Sequence, residues 1–308
     1  MQCTKKQILI LGSTGTLGRS FRKYWSGDAD VFYGVRYTCT ETNEIFFDMK
    51  ADISTMEFHL SRFDIVINCA AITQVDAIET DPVVEEESKE VNWKAVERLS
   101  IACLNTDTTL IHFSTDYVFG NNYHRPYCED DIGTGPCNKY GLHKWNAENC
   151  IKKSGCKYLI FRVSWLFSED DGNFLSDLFA KMMDFDNQEV IYGATDIISS
   201  PTYSKDVVDV VCKIIASDQE NKIGVYHLTN EGVCARYDFI QIMTWYTPFY
   251  NADDIIGLDS CLFNSPAKRP KCSVMSKEKI KSVFCLNIRS WVSAVAECCE
   301  KIAKKYDR

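Results

Sequence analysis

The sequence predicts an α/β fold: a Rossmann-type doubly wound parallel sheet with a smaller substrate-binding lobe woven into it. Three observations predict it. Short runs rich in Val, Ile, Leu and Phe alternate with helical patterns through the first half of the chain. The first run leads directly into a glycine-rich turn, Gly12-Ser13-Thr14-Gly15-Thr16-Leu17-Gly18. Beyond Trp165 the alternation loses its regularity without any linker, repeat or low-complexity stretch.

Taken in order, Lys6 to Leu11 is a buried parallel strand, followed past the glycines by a helix to about Trp25. Val31 to Val35 is the second strand. Ile45-Phe46-Phe47-Asp48 is the third and ends on an acid. Phe58 to Phe63 is read as helical. Asp64 to Ala71 is a fourth strand that runs into small residues. Val83 to Asn105 is one long helix, with Val91, Ala95, Leu99 and Ala102 on a single face. Thr109 to Ser114 is the fifth strand, Tyr140 to Lys152 a helix, and Tyr158 to Val163 the sixth strand.

In the second half, Asn173 to Asp184 reads as helix and Val190 to Tyr192 as strand. Ser204 is expected to cap a helix through Ile215, with Asp206 and Asp209 near its start. Val225 to Leu228 is a strand and Tyr237 to Trp245 a helix. The expected division is 1–165, with 200–228 returning to it, as the dinucleotide-binding part. Residues 166–199 and 229–308 form the lobe.

The bulk numbers narrow the class. The chain has 308 residues, 45% hydrophobic and 25% charged, with net charge −9, and its basic residues form no stripe. A nucleic-acid partner is therefore not expected. No run approaches the roughly 20 apolar residues of a membrane span, and the first residues lack a signal-peptide pattern; a cytoplasmic protein with no membrane partner is expected. The fifteen cysteines are scattered, with no zinc spacing, and are read as reduced small hydrophobes. Cys298-Cys299 is read as lying in a polar C-terminal stretch.

The glycine turn sits between a strand and a helix, the context in which backbone N–H groups receive a pyrophosphate. Gly12, Thr14, Gly15, Thr16, Leu17 and Gly18 are therefore candidate dinucleotide contacts. Arg36, past the second strand, is placed to meet a 2′-phosphate, which favours NADP(H) over NAD(H) without excluding the latter. Asp48 and Met49 are placed to flank an adenine. Cys69, Ala70 and Ala71 are small enough to let a cofactor lie over the strand ends.

Tyr140 and Lys144, at i and i+4, share a helix face. A nearby lysine cation is expected to stabilise the phenolate and make the tyrosine an acid–base group near neutral pH. Ser114-Thr115-Asp116 ends the fifth strand and offers hydroxyls beside it. His112 and His227 are read as structural, His143 as surface, and Glu85-Glu86-Glu87 as a solvated helix face. The tryptophans are read mostly as core or pocket lining.

Gly12/Gly15/Gly18, Asn68 to Ala71, Ser114 to Phe119 and Pro136 to Lys144 together resemble the extended short-chain dehydrogenases/reductases. Phe161 to Trp165 and Arg269-Pro270 make the chain similar to the dTDP-4-dehydrorhamnose reductases within them. The resemblance implies reduction of the C4 keto group of a nucleotide-linked 4-keto-6-deoxy sugar, with dTDP-4-dehydro-L-rhamnose expected as substrate. Reduction of a UDP- or GDP-linked 4-keto-6-deoxy sugar, N-acetylated or not, and a non-catalytic nucleotide-binding regulatory subunit of the same fold are the alternatives it leaves open.

It further implies that Tyr140 donates the proton, Lys144 holds the nicotinamide ribose, and Thr115 binds the keto oxygen with Ser114 beside it. Asp116, Tyr117 and Trp165 would line the sugar pocket, and Arg269 would meet the phosphates. Pro201-Thr202 matches a loop between the lobes. A homodimer is compatible with the resemblance. Relatives with a metal-bridged dimer carry an acid after the glycine loop; Arg19, Ser20 and Arg22 provide none, so no metal is expected. Relatives that also epimerise the sugar carry a cysteine after the catalytic hydroxyl, where this chain has Asp116-Tyr117-Val118.

Overall fold

The computed structural model describes residues 5–120, 125–131, 134–184, 186 and 189–306. Met1 to Thr4, which the sequence leads straight into the first strand, lie outside the described residues.

The first half runs β1 (Lys6–Leu11), α1 (Thr16–Tyr24), β2 (Ala29–Val35), β3 (Glu44–Phe46), α2 (Ile53–Leu60), β4 (Ile65–Asn68), α3 (Val75–Thr80), α4 (Pro82–Lys89), α5 (Ala95–Thr106), β5 (Thr109–Thr115), α6 (Lys139–Ser154) and β6 (Tyr158–Val163). The second half adds β7 (Leu166–Phe167), α7 (Phe174–Met182), β8 (Ile191–Ala194), β9 (Ile198–Ser199), β10 (Thr202–Tyr203), α8 (Ser204–Ala216), β11 (Gly224–His227), β12 (Cys234–Ala235), α9 (Arg236–Thr244), β13 (Ile255–Leu258), α10 (Glu278–Phe284) and α11 (Trp291–Tyr306).

Seven parallel strands form the main sheet in the order β11-β6-β5-β4-β1-β2-β3. The order reverses between β1 and β4, and the crevice outside the strand ends at that point is where such sheets bind ligands. The strands are nearly all apolar because helices cover both faces. One face buries Ile8, Ile10, Ile67 and Ile111 against Phe21 of α1 and Val207, Val211 and Ile214 of α8. The other buries Leu9, Leu11, Val66 and Leu110 against Met56, Leu99 and Cys103. A third core joins Phe167, Phe179, Phe239, Tyr250 and Trp291 in the second half.

Several elements differ from the sequence reading. The second helix starts at Ile53 rather than near Phe58, because Asp52 caps it and accepts from Thr55 N at 2.8 Å. The long helix is interrupted by a wide turn of π type at Glu90–Lys94. That turn presents Asn92, which both accepts from and donates to the Ile72 backbone at 2.8 Å, fixing the loop after β4. Ser204 does not cap α8. It is the first helical residue, and its hydroxyl meets that of Ser20 at 2.7 Å.

Helix α11 was not anticipated. It buries Trp291, Ala294, Val295, Cys298, Cys299 and Ile302. The adjacent cysteines therefore sit in the core, each 0% exposed, and not in a polar tail. Ile280, Phe284 and Ile288, expected with the lobe, pack on the core of the main sheet. No helix among the described residues is long and apolar enough to cross a membrane.

Candidate active site

The glycine turn is shaped by close packing. Gly12 has φ +69°, and a Cβ there would lie 2.5 Å from Ala70 N. A Cβ on Gly18 would lie 2.2 Å from the Gly12 carbonyl oxygen. Glycine lets the turn press against the end of β4 and lets α1 press against the turn. No side chain caps α1 at Gly15, so its first N–H groups face outward.

A cavity of about 660 Å³ opens beside this turn. Gly12, Thr14, Gly15, Arg36, Asp48, Met49, Cys69, Ala70 and Ala71 line it, as the sequence reading placed them. The open glycine cradle, the small residues ending β4 and the exposed Arg36 guanidinium fit a dinucleotide. Thr16 and Leu17 line the neighbouring cleft instead, and Gly18 lies against Gly12.

That cleft, of about 400 Å³, shares Gly15, Cys69, Ala70 and Ala71 with the first cavity. It brings together Ser114, Thr115, Asp116, Tyr117, Tyr140, Lys144 and Trp165. The strand end and the start of α6 meet here for local reasons. Asn138 caps α6 by accepting from Gly141 N at 2.8 Å and donates to Lys268 O at 2.8 Å. A Cβ on Gly141 would lie 2.2 Å from Tyr117 O, so glycine lets α6 seat against the turn after β5. Tyr117 and Tyr140 then meet edge to face, 6.1 Å between centroids.

Burial pushes the Tyr140 phenol above its ordinary pKa, and Asp116 and Tyr117 add to this; only the Thr115 hydroxyl opposes it. The phenol is thus a neutral proton donor. Lys144 was expected to lower it and does not. The lysine, 2% exposed, points its Nζ to His112 Nε2 at 3.2 Å. Burial lowers the lysine to about 8 against the opposing influence of Glu148 and Cys69.

Ser114 lines the cleft, but its hydroxyl is engaged behind it. Side chains alternate along a strand. Thr115 faces the turn and the Asp116 carboxylate, while Ser114 Oγ donates to Glu148 Oε1 at 2.6 Å. Glu148 in turn receives the Arg162 guanidinium at 2.9 and 2.7 Å, a buried pair behind the strand ends. Burial would raise the Glu148 carboxyl, but Arg162, Lys152 and Ser114 hold it at about 2.

Asp116, 2% exposed, lies at the wall of the cleft. Its Oδ2 accepts from Ser164 at 2.8 Å, from Ser199 at 3.3 Å and from Ser273, and its Oδ1 accepts from Thr115 at 3.1 Å. Burial raises this carboxyl while the hydroxyls pull it down. Tyr117 is pushed up to about 12 by burial, with Asp116 reinforcing it.

Trp165 (φ +43°) packs under the Arg236 guanidinium at 4.0 Å, and Phe174 flanks the same group at 4.3 Å. Arg236 lines both this cleft and a third cavity of about 620 Å³, which also holds Arg269, Lys268, Lys271 and Tyr192. Arg269 is engaged already: its guanidinium donates to both Asp76 oxygens, at 3.1 and 2.7 Å.

A family model described as the RmlD substrate binding domain matches residues 6–304. The chain belongs to this family. A dTDP-4-dehydrorhamnose reductase of Mycolicibacterium smegmatis is 30% identical over 297 residues, covering 95% of this chain and 84% of the relative. One of Escherichia coli is 30% identical over 298 residues, covering 92% and 94%. Among solved structures, the dTDP-4-dehydrorhamnose reductase of Bacillus anthracis in complex with NADP superposes with TM-score 0.85 at 25% identity, covering 97% of this chain and 100% of that one.

Within this RmlD-family chain, the cleft also holds Arg236, which the sequence reading did not single out. Arg236 carried a signal. It opens a helix, where a cation opposes the helix dipole, so another interaction must favour it there. His143, read as surface, is 4% exposed and bonds Ser88 at 3.0 Å, because α4 covers that face of α6. Glu85, read as solvated, pairs with Lys139. His227 is structural, bonded to Ser276 O at 3.0 Å and to Arg162. Trp245, at 68% exposed, is neither core nor pocket.

Proposed function

We propose that the chain is an NADPH-dependent reductase of the C4 keto group of a nucleotide-linked 4-keto-6-deoxy sugar, with dTDP-4-dehydro-L-rhamnose as the favoured substrate and dTDP-L-rhamnose as product. The observation that carries this reading is the continuity of three cavities. The first and second share Gly15, Cys69, Ala70 and Ala71, and the second and third share Phe174 and Arg236. A dinucleotide in the first therefore ends beside Tyr140, where a sugar whose nucleotide fills the third would also lie. The names of the relatives support the sugar and the nucleotide, and the NADP of the Bacillus anthracis structure supports the cofactor.

A bound reduced nicotinamide supplies a hydride to the keto carbon. Tyr140, kept as a neutral phenol, gives its proton to the oxygen as negative charge develops there. Hydride and proton together convert the ketone to an alcohol. Lys144 holds the nicotinamide ribose, and Thr115 sits against the keto oxygen. Arg36 reads the 2′-phosphate. Arg236, clamped between Trp165 and Phe174, takes the diphosphate of the substrate, and Arg269, fixed by Asp76, closes the far side. In this reading the cofactor rests on residues 1–165 with 200–228, and the nucleotide on the lobe.

The test is NADPH oxidation with 4-keto-6-deoxy sugars on dTDP, UDP and GDP, with and without a separate 3,5-epimerase. Turnover that requires the epimerase and favours dTDP supports the reading. Preference for another base corrects the substrate, and turnover without the epimerase adds a second activity. Cofactor binding without turnover on any sugar overturns the enzymatic reading.

A further inference from the structure

Lys144 is held by a chain of hydrogen bonds whose polarity is fixed at its far end. The Ala70 N–H donates to Asn68 Oδ1 at 3.0 Å. A backbone N–H can only donate, so the Asn68 amide must turn its Nδ2 to His112 Nδ1, 3.2 Å away. His112 Nδ1 then accepts, and the single proton of the neutral imidazole sits on Nε2. That proton points at Lys144 Nζ, 3.2 Å away. An ammonium is a donor with no lone pair, so a charged Lys144 would set two donors against each other. The other imidazole tautomer moves the conflict to Asn68 and Ala70 without removing it. Asn68, His112 and Lys144 are each 2% exposed or less, so water does not relieve the contact between His112 and Lys144.

The groups facing Lys144 from its other sides compensate only in part. Tyr140, one turn earlier on α6, is a neutral phenol. The Cys69 thiol, at the end of β4, is pushed far up by burial and stays neutral. Glu148, one turn later, is ionised, but its charge is taken by Arg162 and Lys152.

We propose that His112 is a positioning residue for Lys144: its Nε2–H opposes the ammonium in the cofactor-free protein, and NADPH binding draws Lys144 off the imidazole, with proton uptake at Nζ wherever the free protein holds the lysine as an amine. This rests on the reading that Lys144 holds the nicotinamide ribose. The sign follows. Lys144 titrates near 8 when free and is charged when the cofactor is bound. NADPH affinity is therefore constant below about pH 8 and falls roughly tenfold per unit above it. The cofactor's own phosphate ionises near pH ~6 and does not titrate in that window.

The experiment is NADPH titration of the full chain, by fluorescence, from pH 6.5 to 9.5. It needs no sugar substrate. In His112→Gln the amide oxygen can accept from the ammonium, so the inflection should move up by about one unit or more and affinity at high pH should exceed that of the parent. His112→Phe fills the space without accepting, and its inflection should stay where it was or fall. A merely space-filling role for His112 would weaken both variants equally at every pH. If either variant is shown by melting to be misfolded, calorimetry of the parent in two buffers of different ionisation enthalpy decides. Proton uptake rising toward one at high pH supports the proposal, and none overturns it. Affinity flat with pH overturns this inference alone, as does an unmoved inflection in folded His112→Gln. Failure to bind NADPH at any pH overturns the cofactor reading as well.

Discussion

The Thr115 hydroxyl donates its single proton to the Asp116 carboxylate at 3.1 Å, and its oxygen accepts from Tyr117 N at 3.2 Å. That one proton has two acceptors within reach, the Asp116 carboxylate and the Tyr140 phenol oxygen. In either arrangement the acid available to a keto oxygen is Tyr140, and Thr115 becomes a second donor only by turning away from both. Tyr140→Phe should therefore lower kcat by about 10²–10⁴-fold with NADPH affinity little changed, whereas Thr115→Val should cost less. Steady-state rates alongside NADPH titrations check both.

Arg36→Ala should weaken NADPH by about tenfold or more and leave NADH nearly unchanged, because only NADPH carries the phosphate that a guanidinium would pair with. Binding titrations with the two cofactors compare them directly. Equal weakening would mean that Arg36 does not read the phosphate.

The two arginines of the nucleotide cavity should behave differently. Arg236 is stacked between rings, whereas Arg269 is held by Asp76. Arg236→Gln should raise KM for the nucleotide sugar by about ten- to a hundredfold. Arg269→Gln should raise it less and should also loosen the segment around Ser265 and Ala267, which Asp76 ties down. KM values and limited proteolysis of the two variants separate these effects.

Acid stability should depend on Glu148. Its folded-state carboxyl is held at about 2, below the ordinary 4.5, so it contributes stability above about pH 4.5 that is lost as pH falls toward 2. Glu148→Gln leaves Arg162 buried without its counter-charge and should destabilise the fold by roughly 3–5 kcal/mol at neutral pH. The same variant should flatten the acid limb of the stability curve. Urea unfolding at several pH values measures both.

The parts that were legible in the sequence are those fixed by short-range chemistry. β1 and β6 have the expected bounds because each is dominated by an apolar run, Ile8 to Leu11 and Tyr158 to Phe161. Tyr140, Lys144 and Thr115 share one cleft because a helix start and a strand end carry them there. What was not legible depends on partners distant in sequence. The alternation that turns Ser114 to Glu148 was readable, but not that an acid waited 34 positions away. His112 gains its role only because β4 and α6 bring Asn68 and Lys144 to its two nitrogens. Helix α11 was readable in part: Trp291, Ala294, Val295, Cys298 and Cys299 keep helical spacing. Cysteine beside charged residues disguised that stripe as a polar tail.

The hydroxyls around Asp116 come from positions 115, 164, 199 and 273, so one carboxylate joins four stretches of chain spread over about half of the sequence. During synthesis the sheet strands through β6 are available early, but this cluster has no complete form until Ser273 has emerged. The wall of the reaction cleft is thus among the last parts of the molecule to be finished. The glycine turn and all seven strands of the main sheet precede Ser273, so the wall of the sugar site is completed after the chain that forms the cofactor cradle has been made.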